Sequence, residues 1–398
     1  MTEWKPGFQT LSIHADYKVA EETAVAPSIS VSTTFDLNKD GIDVYSRMDS
    51  TTRRRAEEVL GTLEMQNGDR AYAVTYASGL AACFAALSYF QPKRVAIHGG
   101  YHGTHMVINA LKRLRSGEIS VIDLKETSDF QNGDLLWLET PLNPTCELFN
   151  IGEYAERAHL VGAKVVVDGT FAPPPLQFAL EHGADMVMHS ATKFLGGHSD
   201  LLAGVLAVNS EDMKISLKED RTAFGAVPGS LEVWLLLRSL RTLRLRVLEQ
   251  SKTAGRIATF LNSALTVDDC GISDLRKDGV DSIPAIIDTV FYPSLSLDTE
   301  EKRNWAHQQM PRGFGGIFSL QLKTQTYAEL FMKSLHYWKN ATSLGGVESL
   351  IDHRHRWDTT VHPGLLRLSC GLEDSEDLLK DILQAVKRVH SLTKKEDA

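Results

Sequence analysis

The tetrapeptide Ser190-Ala191-Thr192-Lys193 places a primary amine beside two hydroxyls, directly after the apolar run Ala184-Asp185-Met186-Val187-Met188-His189. A lysine at such a strand end can form a Schiff base with a carbonyl compound. The hydroxyls of Ser190 and Thr192, with nearby backbone N–H groups, can hold a phosphate. A second apolar run, Lys164-Val165-Val166-Val167-Asp168, ends on a carboxylate that is costly to bury unless a cation or donor meets it. Amine, phosphate cradle and a carboxylate able to pair a protonated ring nitrogen are the parts of a pyridoxal phosphate (PLP) site. By itself Lys193 also reads as an ordinary surface lysine; Asp168 argues for more.

Further groups fall into place around these two. Ser78-Gly79-Leu80-Ala81-Ala82 follows an apolar strand pattern and opens a helix, so its N–H groups and the positive dipole end make an anion site, or simply a cap. Gly99-Gly100-Tyr101-His102-Gly103-Thr104 sets Tyr101 on a glycine-rich turn, where it can stack on a planar ring or merely pack. In Glu139-Thr140-Pro141-Leu142-Asn143-Pro144-Thr145 the prolines stiffen a turn that offers Asn143 to a ligand, although turn chemistry alone would also explain it. Arg367, inside the apolar run Leu365–Ser369, calls for an anion, and a substrate carboxylate is a good bidentate candidate. His98, His102 and His105 invite a metal reading, but no neighbouring residue in the sequence completes a ligand set, so no metal is expected.

The elements that must position these residues alternate. Short β-branched runs at 71–76, 94–98, 119–124, 135–139, 164–168, 186–189 and 203–208 are separated by helical patterns, which predicts an α/β domain with a largely parallel sheet. The chemistry-bearing residues cluster at the carboxyl ends of those strands, where open sheets bind ligands. Leu231–Leu248 reads as one long helix leaving this domain. Beyond it, strands at 313–321, 345–351 and 365–369 and a helix at 326–339 predict a smaller α+β domain. Residues 1–55, with Pro27, Gly41 and Val44-Tyr45-Ser46-Arg47, read as an extended arm; 56–248 as the cofactor domain; and 249–398 as the C-terminal domain.

A chain of 398 residues that is 43% hydrophobic and 23% charged is long enough for two or three domains with real cores. Its net charge of −9 argues against nucleic-acid or anionic-membrane partners and for small molecules. The four cysteines, Cys83, Cys146, Cys270 and Cys370, form no C-x-x-C pair and fit a reducing compartment. With no apolar leader at the N-terminus and no run of about 18 apolar residues, the expected location is the cytoplasm.

Together these segments resemble the Cys/Met-metabolism PLP enzymes, the cystathionine γ-synthase, γ-lyase and β-lyase group, over nearly the whole chain. The resemblance rests on Thr10–Ala15, Tyr45-Ser46-Arg47, Ser78–Ala82, Glu139–Thr145, Val167–Ala172, His189–Lys193 with Gly197–Asp200, Trp234–Arg238 and Ser343–Ser349. It implies the aspartate-aminotransferase-like fold type I in a homotetramer of catalytic dimers, with Tyr45 and Arg47 reaching the cofactor phosphate of a neighbouring subunit. It implies phosphate contacts from Ser78, Gly79, Leu80, Ser190 and Thr192, a cofactor contact from Thr170, stacking and proton shuttling by Tyr101, and Asp168 on the ring nitrogen. Lys193 is then the cofactor lysine and the base at Cα and Cβ, while Asn143, Ser343, Arg367 and Tyr45 seat the amino acid.

The chain also departs from that group. Met48-Asp49-Ser50 replaces the usual Asn-Pro turn after Arg47, Thr342 stands where cystathionine-handling enzymes carry a glutamate, and Gly169 replaces the usual Asn beside Asp168. A short basic stretch, Asp352-His353-Arg354-His355-Arg356-Trp357-Asp358, replaces a longer His/Pro-rich one. Arg354 or Arg356 could draw in an anionic second substrate, or both could be solvated. The activity expected on this reading is γ-replacement on an O-activated L-homoserine, O-acetyl or O-succinyl, by a thiol or a β-keto acid enolate. The alternative is a γ- or β-lyase acting on cystathionine or methionine and releasing a 2-oxo acid and ammonia.

Overall fold

The computed structural model describes residues 6–20, 23–38, 43–66, 71–125, 129–266 and 280–396. Cys270, Gly41 and the first five residues, all used in the sequence reading, lie outside that set. The chain divides into two compact units, one of residues 1–140, 149–245 and 309–311, the other of 141–148, 246–308 and 312–398.

The first unit is built on seven strands: β1 (Tyr72–Tyr76), β2 (Arg94–Ile97), β3 (Ser120–Asp123), β4 (Asp134–Glu139), β5 (Lys164–Asp168), β6 (Met186–Ser190) and β7 (Gly204–Val208). They lie in the order β1-β7-β6-β5-β4-β2-β3. Every pairing from β3 to β6 is parallel, whereas β7 runs antiparallel to both β6 and β1. The run Asp134–Glu139 is buried at all six positions, as a parallel strand covered on both faces must be. Val74, Trp137, Val166, Met188 and Leu206 share one core with the helix Gly79–Phe90. Three helices in this unit that follow strands or turns start on capping side chains: Ser78 accepts from Ala81 N, Asn150 from Glu153 N and Ser210 from Met213 N.

The second unit holds a smaller sheet of β8 (Ile287–Phe291), β9 (Ile317–Leu322), β10 (Lys339–Asn340), β11 (Leu350–His353) and β12 (Leu365–Ser369), ordered β10-β11-β12-β9-β8. Only the β10–β11 pair is parallel. Among the described residues no helix is long and apolar enough to cross a membrane.

Four expectations about elements need correction. The single helix 231–248 is two, Ser230–Leu240 and Leu243–Thr266. The break falls where Thr242 N bonds Ser239 O at 3.1 Å, Gln9 Nε2 claims the Arg241 carbonyl at 2.8 Å and Arg241 Nη1 donates to Ile13 O at 2.6 Å. The helix begun at 325 stops at Ser334, because Leu335 turns extended (ψ 146) and the Asp381 carboxylate takes the N–H groups of His336 and Tyr337. The strand placed at 345–351 begins only at Leu350, after Gly345 at φ 78. The strand placed at 313–321 begins at Ile317, after Gly313 and Gly315, both at positive φ. The first residues also contain a short helix, Phe8–His14. From 23 to 50 the described chain carries only an isolated Thr34–Tyr45 bridge. Val25, Val31 and Leu37 in that stretch are 91%, 78% and 73% exposed.

Candidate cofactor site

In the first unit, the ends of β5 and β6 and the turn after β1 converge. Asp168, the last residue of β5, is 4% exposed, and its Oδ1 accepts from Thr170 N at 3.0 Å. Burial raises its pKa above the usual aspartate value, with the Thr170 donors and His189 opposing. Such a carboxylate gains most from a cation placed against it. Thr170 Oγ1 in turn accepts from Ser190 N at 2.9 Å and so ties the end of β5 to that of β6. The helix Gly79–Phe90 begins against Ser190: a Cβ on Gly79 would stand 2.9 Å from both Cβ and Oγ of Ser190. Its first helical bond runs from Ala82 N to Ser78 O, so the N–H groups of Gly79 and Leu80 lie outside the helical ladder. That helix start, two unspent N–H groups beside a serine hydroxyl, is a cradle for an anion. On the other side, a Cβ on Gly204 would overlap the Ser78 carbonyl, so the first residue of β7 must be glycine for the turn to lie where it does.

Lys193 follows β6 on a turn whose backbone is fixed by Lys193 N to Ser190 O at 3.1 Å and Gly197 N to Lys193 O at 2.7 Å. The side chains after it, Phe194 and Leu195, are buried and anchor the turn. Thr192 is spent differently from the sequence reading: its Oγ1 donates to Ala203 O at 3.2 Å and accepts from Ala203 N at 3.1 Å, joining the lysine turn to the approach of β7. Tyr101, 39% exposed, precedes the helix His102–Leu114, and its N–H donates to Glu139 Oε2 at 2.7 Å. Its ring covers Gly103 and nears Leu80, where a Cβ on Gly103 would overlap both. Tyr45 and Arg47 are exposed, and the Arg47 guanidinium stands 5.3 Å from the Tyr45 ring centroid. The histidines of the metal reading are engaged otherwise. His98 Nδ1 is 2.9 Å from Asp123 Oδ2, and His105 Nε2 lies 2.6 Å from Gly99 O. Among the described residues no group of three or more His, Cys, Asp or Glu could hold a metal.

The second unit gathers Asn143, Thr342, Ser343 and Arg367. Arg367, buried on β12, donates from Nη1 to Asn143 Oδ1 at 3.2 Å, and from Nη2 to Thr342 O at 2.7 Å and Ser343 O at 3.2 Å. The backbone carbonyl of Thr342, rather than its exposed side chain, makes the contact. Asp352 on the neighbouring β11 adds a carboxylate, with Oδ2 at 3.4 Å from Arg367 Nη2 and 2.6 Å from Arg354 Nη1, while Oδ1 accepts from Trp357 Nε1 at 3.1 Å. The picture of a solvated basic loop therefore fails for Arg354, which is 8% exposed and already paired; Arg356 is exposed. Asp352 was missed in the sequence, although an acid within the run Leu350-Ile351-Asp352-His353 carries the same signal that marked Arg367.

The family model for Cys/Met metabolism PLP-dependent enzymes matches residues 9–387. The chain belongs to that family. Among this PLP family's members it is 33% identical to a cystathionine γ-lyase of Dictyostelium discoideum, the match covering 94% of this chain and 96% of the relative. It is 32% identical to a cystathionine β-lyase of Lactococcus lactis, covering 92% and 96%. The fold superposes on a cystathionine γ-synthase structure from Xanthomonas oryzae, in complex with aminoacrylate and cysteine, with TM-score 0.82 at 29% identity over 98% of this chain and 100% of that one. Fold type I is thus the architecture of this PLP enzyme. The site residues fit the cofactor: the Gly79–Ser190 approach leaves a cradle that a Cβ would fill, and Asp168 is a buried carboxylate suited to a ring cation.

Proposed function

We propose that this PLP enzyme is a lyase that eliminates the sulfur substituent from Cγ or Cβ of an L-amino acid of the cystathionine or methionine type, releasing a 2-oxo acid and ammonia. The bound cofactor supplies an electron sink for the charge left at Cα. Lys193 would hold the cofactor and, once displaced by substrate, take the proton from Cα and move it onward. Tyr101 would stack on the cofactor ring, Asp168 would pair its nitrogen, and Gly79, Leu80 and Ser190 would bind the phosphate. Thr192 would act there through its turn, its hydroxyl being held by Ala203. Arg367, aimed by Asn143 and the Thr342 and Ser343 carbonyls, would orient the substrate carboxylate. Tyr45 and Arg47 would serve a neighbouring subunit's phosphate in a homotetramer.

The observation that carries elimination over replacement is the Arg354–Asp352 pair, which takes one of the two arginines away from any anionic second substrate. The lyase names of the two sequence relatives support the same reading. γ-Replacement on an O-acyl homoserine keeps two supports, the exposed Arg356 and the likeness to a γ-synthase. The test incubates the holoenzyme with cystathionine, methionine or O-acetylhomoserine, each with and without an added thiol, and measures 2-oxo acid and thioether adduct. A 2-oxo acid formed from cystathionine or methionine without the thiol is the expected result. Adduct from O-acetylhomoserine with no turnover of the sulfur amino acids would replace the lyase reading by the transferase one.

A further inference from the structure

One buried ionisable pair takes no part in the steps above. His189 lies on β6 between Met188 and Ser190, its Nε2 2.8 Å from Oε1 of Glu64, and both side chains are 2% exposed. At that distance an imidazolium and the Glu64 carboxylate form a close ion pair. Glu64 caps the carboxyl end of the helix Thr51–Leu63, where the macrodipole disfavours an anion, and its buried Oε2 has no hydrogen-bond partner among the described residues. Such a carboxylate needs a cation beside it.

The pair lies beside the carboxyl end of β5, against Gly169. Met188, the residue before His189, is the strand partner of Asp168, and Gly169 N donates to Met188 O at 3.0 Å. Gly169 makes the approach possible: a Cβ there would stand 2.8 Å from His189 Cε1 and 3.3 Å from Nδ1. Its φ is not in the left-handed region, so glycine supplies room here rather than backbone freedom. Burial pushes the His189 imidazole down, but Glu64 chiefly, with Asp168 and the Gly169 backbone, lifts it above the usual histidine value. The ionisable groups acting on this centre are Glu64 from the end of its helix, Asp168 from β5 and Cys83 from the helix Gly79–Phe90, whose thiol burial and Asp168 hold neutral.

We propose that Glu64, His189 and Gly169 are positioning residues for the cofactor, and that the imidazolium held by Glu64 keeps the Asp168 carboxylate charged so that it retains a proton on the ring nitrogen. The inference rests on Asp168 being the partner of that nitrogen. The four groups then alternate in sign, carboxylate, imidazolium, carboxylate, pyridinium, and neutralising either of the first two weakens the last pairing.

The test reads the ring proton directly. Holoenzyme is reconstituted with 15N-labelled PLP, and the ring 15N shift is followed against pH in the unaltered protein, Glu64→Gln, His189→Gln and Gly169→Ala, alongside the dissociation constant of PLP from each. The unaltered protein keeps the proton to the alkaline limit of its stability. Glu64→Gln, which preserves shape, and His189→Gln lose it at least about one pH unit lower, a tenfold change in the proton equilibrium; Gly169→Ala, which displaces the imidazole, shifts it in the same direction. A folded, PLP-loaded Glu64→Gln with an unchanged 15N titration overturns the proposal, even if His189→Gln fails to fold. Asp168→Asn separates the two layers: if that variant also leaves the ring shift unmoved, the assignment of Asp168 fails, and this proposal with it.

Discussion

Glu57 and Arg221 form an ion pair sealed in the first unit, and neutralising the glutamate should cost more than any surface change. Arg221 is fully buried and Glu57 is 7% exposed. Glu57 Oε1 accepts from Arg221 Nη1 at 2.5 Å, Thr75 N at 3.0 Å and Thr75 Oγ1 at 2.9 Å, and Arg221 Nη1 also donates to Thr75 O at 3.0 Å. Glu57→Gln keeps acceptor and volume but leaves a guanidinium charge without its counter-ion, a loss of about 3–5 kcal/mol. For a unit of this size that lowers Tm by roughly 6–20 °C. Replacing both partners, in Glu57→Gln/Arg221→Met, removes the stranded charge and should recover part of the loss. Burial would raise the Glu57 pKa, but Arg221, Lys218 and the Thr75 N–H outweigh it and hold the group below the ordinary glutamate value of 4.5. A group depressed in the folded state stabilises above its unfolded value, and that stability goes as pH falls. The Tm gap between the unaltered protein and Glu57→Gln should therefore be full at neutral pH and close below about pH 4.5. Because Thr75 lies three residues before Ser78, PLP affinity should fall together with Tm. The reasoning is refuted if scanning calorimetry gives Glu57→Gln a loss under about 1 kcal/mol, or if the double variant is no more stable than the single one.

Three further outcomes are expected. Gly79→Ala should force Ser190 aside at 2.9 Å and weaken PLP binding by about tenfold, measured by fluorescence titration of the apoprotein, with little change in fold by circular dichroism. Asp352→Asn removes the charge shared by Arg354 and Arg367, so KM for the amino acid should rise about tenfold while kcat changes less; an unchanged KM would show that Asp352 only supports the fold. Cys83, Cys146 and Cys370 are buried, with burial raising each thiol, Cys146 to about 12. Alkylation mapped by mass spectrometry should therefore leave all three unmodified in native protein and label them in denaturant.

The strands β1, β5 and β6 were legible because each is an apolar run ending on or just before a chemically odd residue: the Ser78 turn after Tyr76, Asp168 and Ser190. Lys193 stands on the turn that follows one of these runs. Contacts that join residues far apart in the chain could not. Glu64 and His189 are separated by more than a hundred positions, and neither neighbourhood marks the other as partner. Thr192 was legible as a polar residue near a phosphate cradle, yet its hydroxyl is taken by Ala203, a backbone group with no signature in the side-chain pattern. The helix 231–248 shows the converse error. Its periodicity is continuous, and the break at Arg241 comes from Gln9 and Ile13, contacts that no local pattern contains.

Gly204 opens β7, the strand that reverses the sheet, and also leaves the space in which the Ser78 turn sits. On the proposed reading, the turn that would grip the cofactor and the edge where the sheet reverses therefore share one glycine. Arg367 and Asp352 belong to the separate sheet of the second unit. On the proposed reading, the residues that would choose the amino acid and those that would hold the cofactor thus sit on different sheets, and the first set can drift while the second stays fixed.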